Sequence, residues 1–137
     1  HREQIIASLA ATLAATAGIG TVYRSRMEAF ARDEAPALVI EPTSNLPTEI
    51  SVCKLDHRLS VSVVVYTRGS DADQQAEPII ASAHALLMAD RTLGGLAVNI
   101  IPGPTDWQRD KADLSCLWLV SGYEIRYRTA AANLEVA

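Results

Sequence analysis

The sequence predicts an α+β domain: a mostly antiparallel, mixed β-sheet of about five strands with two α-helices packed on one face. Three observations carry that expectation. Two segments place apolar residues at helical spacing. Two others alternate in side-chain character for longer than the five or six residues usual in a strand. Glycine or proline stands between most of these segments, where the chain must turn. Two helices that each carry one apolar stripe bury both stripes by lying on the same face of a sheet.

The elements follow in chain order. Residues 2–17 read as a helix, with Ile5, Leu9 and Leu13 in one line, Ile6 and Ala10 beside them, and a high alanine content. Gly18 suits a left-handed C-terminal cap, and Gly20 follows it. Residues 21–26 read as a strand, on the strand preference of Val22 and Tyr23, with arginines at the alternate positions 24 and 26. A polar connection then carries Phe30 as its one large anchor, and Pro36 introduces a strand at 37–41. Pro42 to Pro47 reads as a loop, on its Pro, Thr, Ser and Asn content.

The strongest strand covers about 55–67, with Leu59, Val61, Val63 and Val65 on one face and Ser60, Ser62, Val64 and Tyr66 on the other. After the break at Gly69 to Asp71, a second helix runs to about Ala89 on an apolar face of Ile79, Ile80, Ala83, Leu86 and Leu87. Pro78 suits a first turn, or an interior position with a kink behind it, so the secure part of the helix is about 76–89, with Asp73 able to cap one further turn. Gly94 and Gly95 close that segment, and a strand at 96–101 stops at Pro102. Residues 103–113 are polar apart from Trp107. The last strand spans about 115–129: Leu117, Leu119, Tyr123, Ile125 and Tyr127 face one way, Trp118, Val120, Glu124, Arg126 and Arg128 the other. The Ala-rich end, 130–137, reads as a frayed tail. Strands this long extend beyond a helix layer and form a natural arm or docking edge.

The 137 residues make one domain, 1–137, large enough to bury a core without metal or disulfide staples. Lys and Arg total 12 against 16 Asp and Glu, a net charge of −4. That balance argues against a phosphate-neutralising surface and against an anionic membrane face. No apolar run approaches the roughly 18 residues of a membrane span. The most apolar, Ile5 to Ile19, is interrupted by Ser8, Thr12, Thr16 and Gly18. Glu3 ahead of it is unlike a signal-peptide n-region, so the run reads as a helix of the mature, cytosolic protein. There is no internal repeat.

Catalytic patterns are missing from the sequence. Cys53 and Cys116 read as two buried free thiols. His57 reads as solvent-exposed at the start of a strand, His84 as a partly buried structural side chain, and no histidine or cysteine pair has metal-ligand spacing. There is neither a Gly-x-Ser-x-Gly elbow nor a phosphate-cradling loop. Asp71, Asp73 and Glu77 offset the dipole of the second helix, and Asp106, Asp110 and Asp113, with Arg109 and Lys111, form a solvated loop. No catalytic residue, metal or cofactor is expected, and the chain reads as a non-enzyme.

Positive charge is the one remaining theme. Arg24 and Arg26 on the first strand form a stripe with Arg126 and Arg128 if the first and last strands are neighbours. Such a stripe is either solvated edge protection or a salt-linked subunit interface. Interfaces favour Trp and Arg, so Arg24, Arg26, Trp107, Arg109, Asp110 and Arg128 are the candidate contact residues for subunits or for a tube.

Five segments in order carry a family likeness: Arg2-x-x-Ile5, Val-Tyr-Arg-Ser-Arg at 22–26, Pro-Ala-Leu-Val-Ile at 36–40, Ala-Asp-Arg-Thr-Leu-Gly-Gly-Leu-Ala at 89–97, and Tyr-Glu-Ile-Arg-Tyr-Arg-Thr at 123–129. Together they resemble the tail terminator, or minor tail protein U-like, family of tailed phages and prophages, over nearly the whole chain. The resemblance implies an antiparallel-rich sheet with helices packed on it, and self-association into a six-membered ring that forms alone or only on the tube. It implies tail tube protein and head-completion protein as partners, with DNA passing through the lumen without sequence-specific contacts. It places the protein in the host cytoplasm during assembly and in the virion tail afterwards, and it involves neither membrane nor cofactor. The alternatives are a phage neck or head-completion protein, and a small cytosolic enzyme or regulatory α+β domain.

Overall fold

A computed structural model describes residues 2–16, 22–24, 36–109 and 116–135. Within them the chain runs α1 (Arg2–Leu13), β1 (Val22–Arg24), β2 (Ala37–Ser51), β3 (Lys54–Arg68), α2 (Ala72–Ala89), β4 (Asn99–Arg109) and β5 (Cys116–Ala130). The strands form one sheet in the order β1-β2-β3-β5-β4. β1 is parallel to β2, and every other neighbouring pair is antiparallel. The architecture is the α+β one that the sequence patterning predicts.

Both helices lie on one face because both stripes join the same core. Ile5, Ile6, Leu9 and Leu13 of α1 and Ala72, Ala76, Ile79, Ala83 and Leu87 of α2 are buried. They cluster with Leu59, Val61, Val63 and Val65 of β3 and with Leu117, Leu119, Tyr123, Ile125 and Tyr127 of β5. The small alanines let α2 approach the sheet closely. On the opposite face, Ala37, Tyr66 and Cys116 form a smaller buried cluster with Tyr23 and Trp118 packed against it.

The structure corrects the sequence reading where proline was taken to stop a strand. The expected loop at Pro42–Pro47 is strand: β2 continues past residue 41 to Ser51, with register shifts at Pro42/Ser44 and Glu49/Ser51. β1 pairs only with Leu38, Val39 and Ile40, so beyond them the outer side of β2 has no strand partner among the described residues. A proline there gives up no ladder hydrogen bond. The same holds for β4, which runs through Pro102 and Pro104 to Arg109 as the outermost strand, with a register shift between Pro102 and Thr105. Gly103 at this bulge lies against β5, where a Cβ would come within 3.2 Å of the Gly122 carbonyl oxygen.

The helices differ in extent as well. α1 ends at Leu13 rather than residue 17, and the expected cap at Gly18 lies outside the described residues. α2 begins at Ala72, not 76, with Asp71 rather than Asp73 at its N-cap. Pro78 therefore sits in the helix interior. The buried residues Ala72 and Ala76 before it, and Ile79, Ala83 and Leu87 after it, hold the helix to the sheet on both sides of the missing backbone bond. After α2 the chain turns through Leu93, Gly94 and Gly95, all at positive φ. Asp90 holds that turn, accepting hydrogen bonds from Thr92 Oγ1 at 3.0 Å and the Gly94 amide at 2.9 Å. The Thr92 hydroxyl and these amides hold the Asp90 carboxyl below its ordinary pKa.

Two further expectations fall to the topology. β2 and β3 separate β1 from β5, so Arg24 forms no stripe with Arg126 and Arg128. The thiols are also unlike each other: Cys116 is buried but Cys53 is exposed. Cys53 lies in the β2–β3 turn and Cys116 opposite Arg68 at the far end of β3, roughly 45 Å away at about 3.3 Å per residue.

Candidate functional site

Two regions of the surface combine exposure with chemistry: a projecting arm and a lateral cleft. The arm arises because β2, β3 and β5 outrun the helices. At the α1 end the helix layer reaches Arg2 and Ile6, which share a surface hollow with Pro42, Asn45 and Leu59. Beyond that level β2 continues to Ser51, about 20 Å of further strand. Leu46, Ile50 and Val52 are 60%, 49% and 92% exposed there. β5 lies along the whole arm, from Ile125 opposite Leu59 to Ala130 opposite Lys54. Beyond it, the Ala131 amide donates to the Cys53 carbonyl at 2.9 Å, which ties the end of β5 to the tip.

A buried polar cluster stiffens the root of this arm. His57 is 2% exposed, not solvated as its place in the sequence suggests. Its position shares the parity of Leu59, Val61 and Val63, which points it to the helix-bearing side. Asn45 and Thr129 lie 3.0 Å from its Nδ1 and 2.8 Å from its Nε2. Tyr127 donates its hydroxyl to Asn45 Oδ1 at 3.0 Å. That bond turns the Asn45 amide nitrogen toward His57 Nδ1, so Nδ1 accepts and Nε2 carries the proton given to Thr129. Thr129, His57 and Asn45 thus superficially resemble a nucleophile, a base and an orienting group, but the polarity is reversed. The imidazole donates to the hydroxyl and cannot take its proton, and Thr129 is fully buried. Burial lowers the His57 pKa, with Arg2 adding to this and Asp56 opposing it.

On the opposite side of the same strands, Asp56 faces two arginines of β5. Arg126 Nη2 lies 3.1 Å from its Oδ2 and Arg128 Nε 3.8 Å from its Oδ1. These contacts bind β3 to β5 along the arm.

The cleft lies on the helix-bearing side, between α2 and the sheet edge. α2 packs on β3 and β5; of β4, Ile100 reaches the core, while Thr105 and Trp107 line the hollow beyond it. The resulting hollow, about 400 Å³, is lined by Glu77, Ile80 and His84 of α2, Thr105 and Trp107 of β4, and Ser121 and Tyr123 of β5, among others. His84 Nδ1 and the Tyr123 hydroxyl are 2.9 Å apart, and the Thr105 and Ser121 hydroxyls 3.0 Å. Burial raises the Tyr123 phenol pKa. Ser121 is bonded to Thr105 rather than to His84.

The expected contact residues are dispersed. Arg24 serves its own chain: Nη1 and Nη2 meet the Glu3 carboxylate at 2.7 and 3.0 Å, joining β1 to α1. This pairing lowers the Glu3 pKa and raises that of Arg24. Trp107 is 57% exposed beside the cleft, and Arg109 follows it on β4. Arg128 flanks Asp56 on the arm. Arg26 and Asp110 lie outside the described residues. The sequence reading missed His57, Asn45 and Thr129 as a unit, along with the whole cleft. Only the parity that His57 shares with the β3 core residues signals its burial.

Among the described residues no three His, Cys, Asp or Glu side chains gather to hold a metal ion. Nor is any helix there long and apolar enough to cross a membrane. In comparison with known proteins, the chain matches no protein-family model and no curated protein at a significant level.

Proposed function

We propose that this chain is a phage or prophage tail-assembly subunit that caps the tail tube as a six-membered ring, stops tube growth and offers the head-docking surface. The observation that carries this reading is the arm, a three-stranded projection with exposed Leu46, Ile50 and Val52 along it. Exposed apolar residues on a stiff projection suit contact with another protein better than chemistry in solution.

The strand order adds a second support. Head-to-tail association needs two different surfaces on each copy. The sheet has them at opposite edges: β4 on one side, and the stretch of β2 beyond Ile40 on the other. Two unlike edges fit a contact that repeats around a ring. The resemblance carried by the five segments points the same way. The function is steric and geometric: one face fits the last ring of the tube, and the other offers that ring no copy of itself.

The test is purification of the chain and electron microscopy, alone and with tail tube protein. Rings, free or at tube ends, are expected. A monomer that never binds tube protein at any concentration or salt overturns the reading. Arg24 is best examined by exchange with its partner. Arg24→Glu alone breaks the contact with Glu3, and Arg24→Glu with Glu3→Arg restores it. If the single change impairs rings and the exchange restores them, Arg24 acts through the seating of α1 and not across the subunit contact.

A further inference from the structure

The lateral cleft between α2 and β4 lies apart from the arm. Apart from His84, whose Nδ1 is bonded to the Tyr123 hydroxyl, its polar groups share one electrostatic preference. Glu77 presents a carboxylate that has no partner among the described residues. Trp107 and Tyr123 contribute aromatic rings, whose faces attract cations. The Thr105 and Ser121 hydroxyls satisfy each other with one hydrogen bond and keep lone pairs for another donor. Among the described residues no lysine or arginine lines the cleft, and Arg109, further along β4, has an interaction of its own. Asp73, one helical turn before Glu77, adds negative charge on the same side of α2.

We propose that this cleft holds the side chain of an arginine presented by another protein chain. A guanidinium matches the groups one by one. Its flat face stacks on an indole or phenol ring, its paired N–H groups match a carboxylate, and its remaining donors reach hydroxyl oxygens. A lysine ammonium is more strongly hydrated and has no flat face to stack. The cleft volume of about 400 Å³ falls at the lower end of the range for ligand sites. Its position decides the source of the arginine. One wall is β4, the outermost strand, so a chain lying along that edge can turn a side chain into the cleft. The β4 edge is also the one proposed for the ring contact, but the assignment does not rest on that reading: a small probe binds or fails to bind whether or not rings form.

The test uses the intact protein and N-acetyl-argininamide, which carries the side chain with both backbone ends blocked. Titration is followed by the NMR signals of the Trp107 indole and of the Thr105, Ser121 and Gly122 amides, with Trp107→Phe assigning the indole signal. A saturable shift at these positions is expected, with a dissociation constant of about 1 mM. Glu77→Gln, a change on the exposed side of α2, should weaken it about tenfold while the rest of the spectrum stays unchanged. N-acetyl-citrullinamide, equal in shape but uncharged, should bind at least tenfold more weakly. The proposal is overturned if no shift saturates by about 50 mM, if citrullinamide binds equally well, or if Glu77→Gln has no effect. It is also overturned if free arginine binds while the blocked form does not, since the cleft is then a small-molecule site.

Discussion

The imidazole of His57 lies flat on the ring of Tyr127, with centroids 4.4 Å apart and planes within 5° of parallel. Asn45 closes the pair into a circuit, accepting from the Tyr127 hydroxyl and donating to His57 Nδ1. The circuit joins β2, β3 and β5 where the sheet leaves the helix layer, so the arm is anchored by polar contacts in place of apolar packing. Imidazole nitrogen shifts should show His57 as the Nε2–H tautomer. An Nδ1–H signal would mean that the Asn45 amide is turned the other way.

Acid should loosen this anchor. Burial depresses the His57 pKa from its ordinary value of 6.5, so the folded state favours the neutral ring. A proton on Nδ1 would also face the amide hydrogens of Asn45. The unfolded chain binds the extra proton more readily below that ordinary value, so stability rises with pH in this window. The contribution is complete above pH 6.5 and is lost as the pH falls toward the depressed value. Urea midpoints measured between pH 7 and 5 should fall for the parent chain and flatten in His57→Gln. At neutral pH that variant should lose roughly 1–3 kcal/mol through unsatisfied buried partners. Equal slopes in the two proteins would remove His57 as the source.

Gly103 and Gly122 face each other across β4 and β5, yet they should respond differently to an added methyl group. At Gly103 the Cβ meets the Gly122 carbonyl oxygen at 3.2 Å, a backbone atom that can give way only by shifting the strand. At Gly122 the nearest atom, the Pro104 carbonyl oxygen, is 3.6 Å away, an ordinary contact. Gly103→Ala should cost about 1–2 kcal/mol and speed amide exchange in β4. Gly122→Ala should stay within about 0.5 kcal/mol of the parent. Chemical denaturation of the two variants decides the matter, and the reverse ranking would contradict the bulge geometry.

Pro78 offers a gain in stability. It lies inside α2 and is exposed, so it withholds a backbone donor without burying its ring. Pro78→Ala should raise stability by about 1 kcal/mol or more, since proline is the poorest interior helix residue. A fall in the thermal midpoint would mean that proline at position 78 is needed to seat Ile79 and Ala83.

The sequence patterning made the two helices, β3 and β5 legible, because their apolar periods are long and uninterrupted. It misled at Pro42–Pro47 and at Pro102. Proline stops a strand only when its nitrogen faces a neighbouring strand, and which strands are outermost is a property of the assembled sheet. The burial of His57 depends on Thr129, 72 residues away, and the cleft joins His84 to Tyr123, 39 residues away. Neither neighbour is visible within a local window. The arginine stripe failed for the same reason: its premise was a strand order, and β2 and β3 lie between the two halves.

The two thiols give a direct check on the arm. Cys53, exposed in the turn at its tip, should react with a thiol reagent in the native state within minutes. Cys116 is 4% exposed against Tyr66, whose hydroxyl lies 3.5 Å from its sulfur, and should react only on unfolding. One thiol per chain is therefore titrated without denaturant and two with it. Rapid reaction of both would place the Cys116 end of the sheet in solvent.

The arm residues should separate stability from association. Leu46, Ile50 and Val52 contribute little to the folded monomer, because water already reaches most of each side chain. Leu46→Ser combined with Ile50→Ser should therefore shift the monomer's stability by no more than about 1 kcal/mol. If these side chains are buried between copies or against a tube, each removal costs about 1–2 kcal/mol of contact energy. Binding should then weaken by roughly one and a half to three orders of magnitude for the pair. Sedimentation equilibrium measures the self-association, co-sedimentation with tubes measures the capping contact, and urea denaturation of the dilute protein measures the monomer. Loss of association with an unchanged monomer identifies the arm as contact surface. Unchanged association removes the arm from the interface and leaves β4 and the free stretch of β2 as the edges that must join.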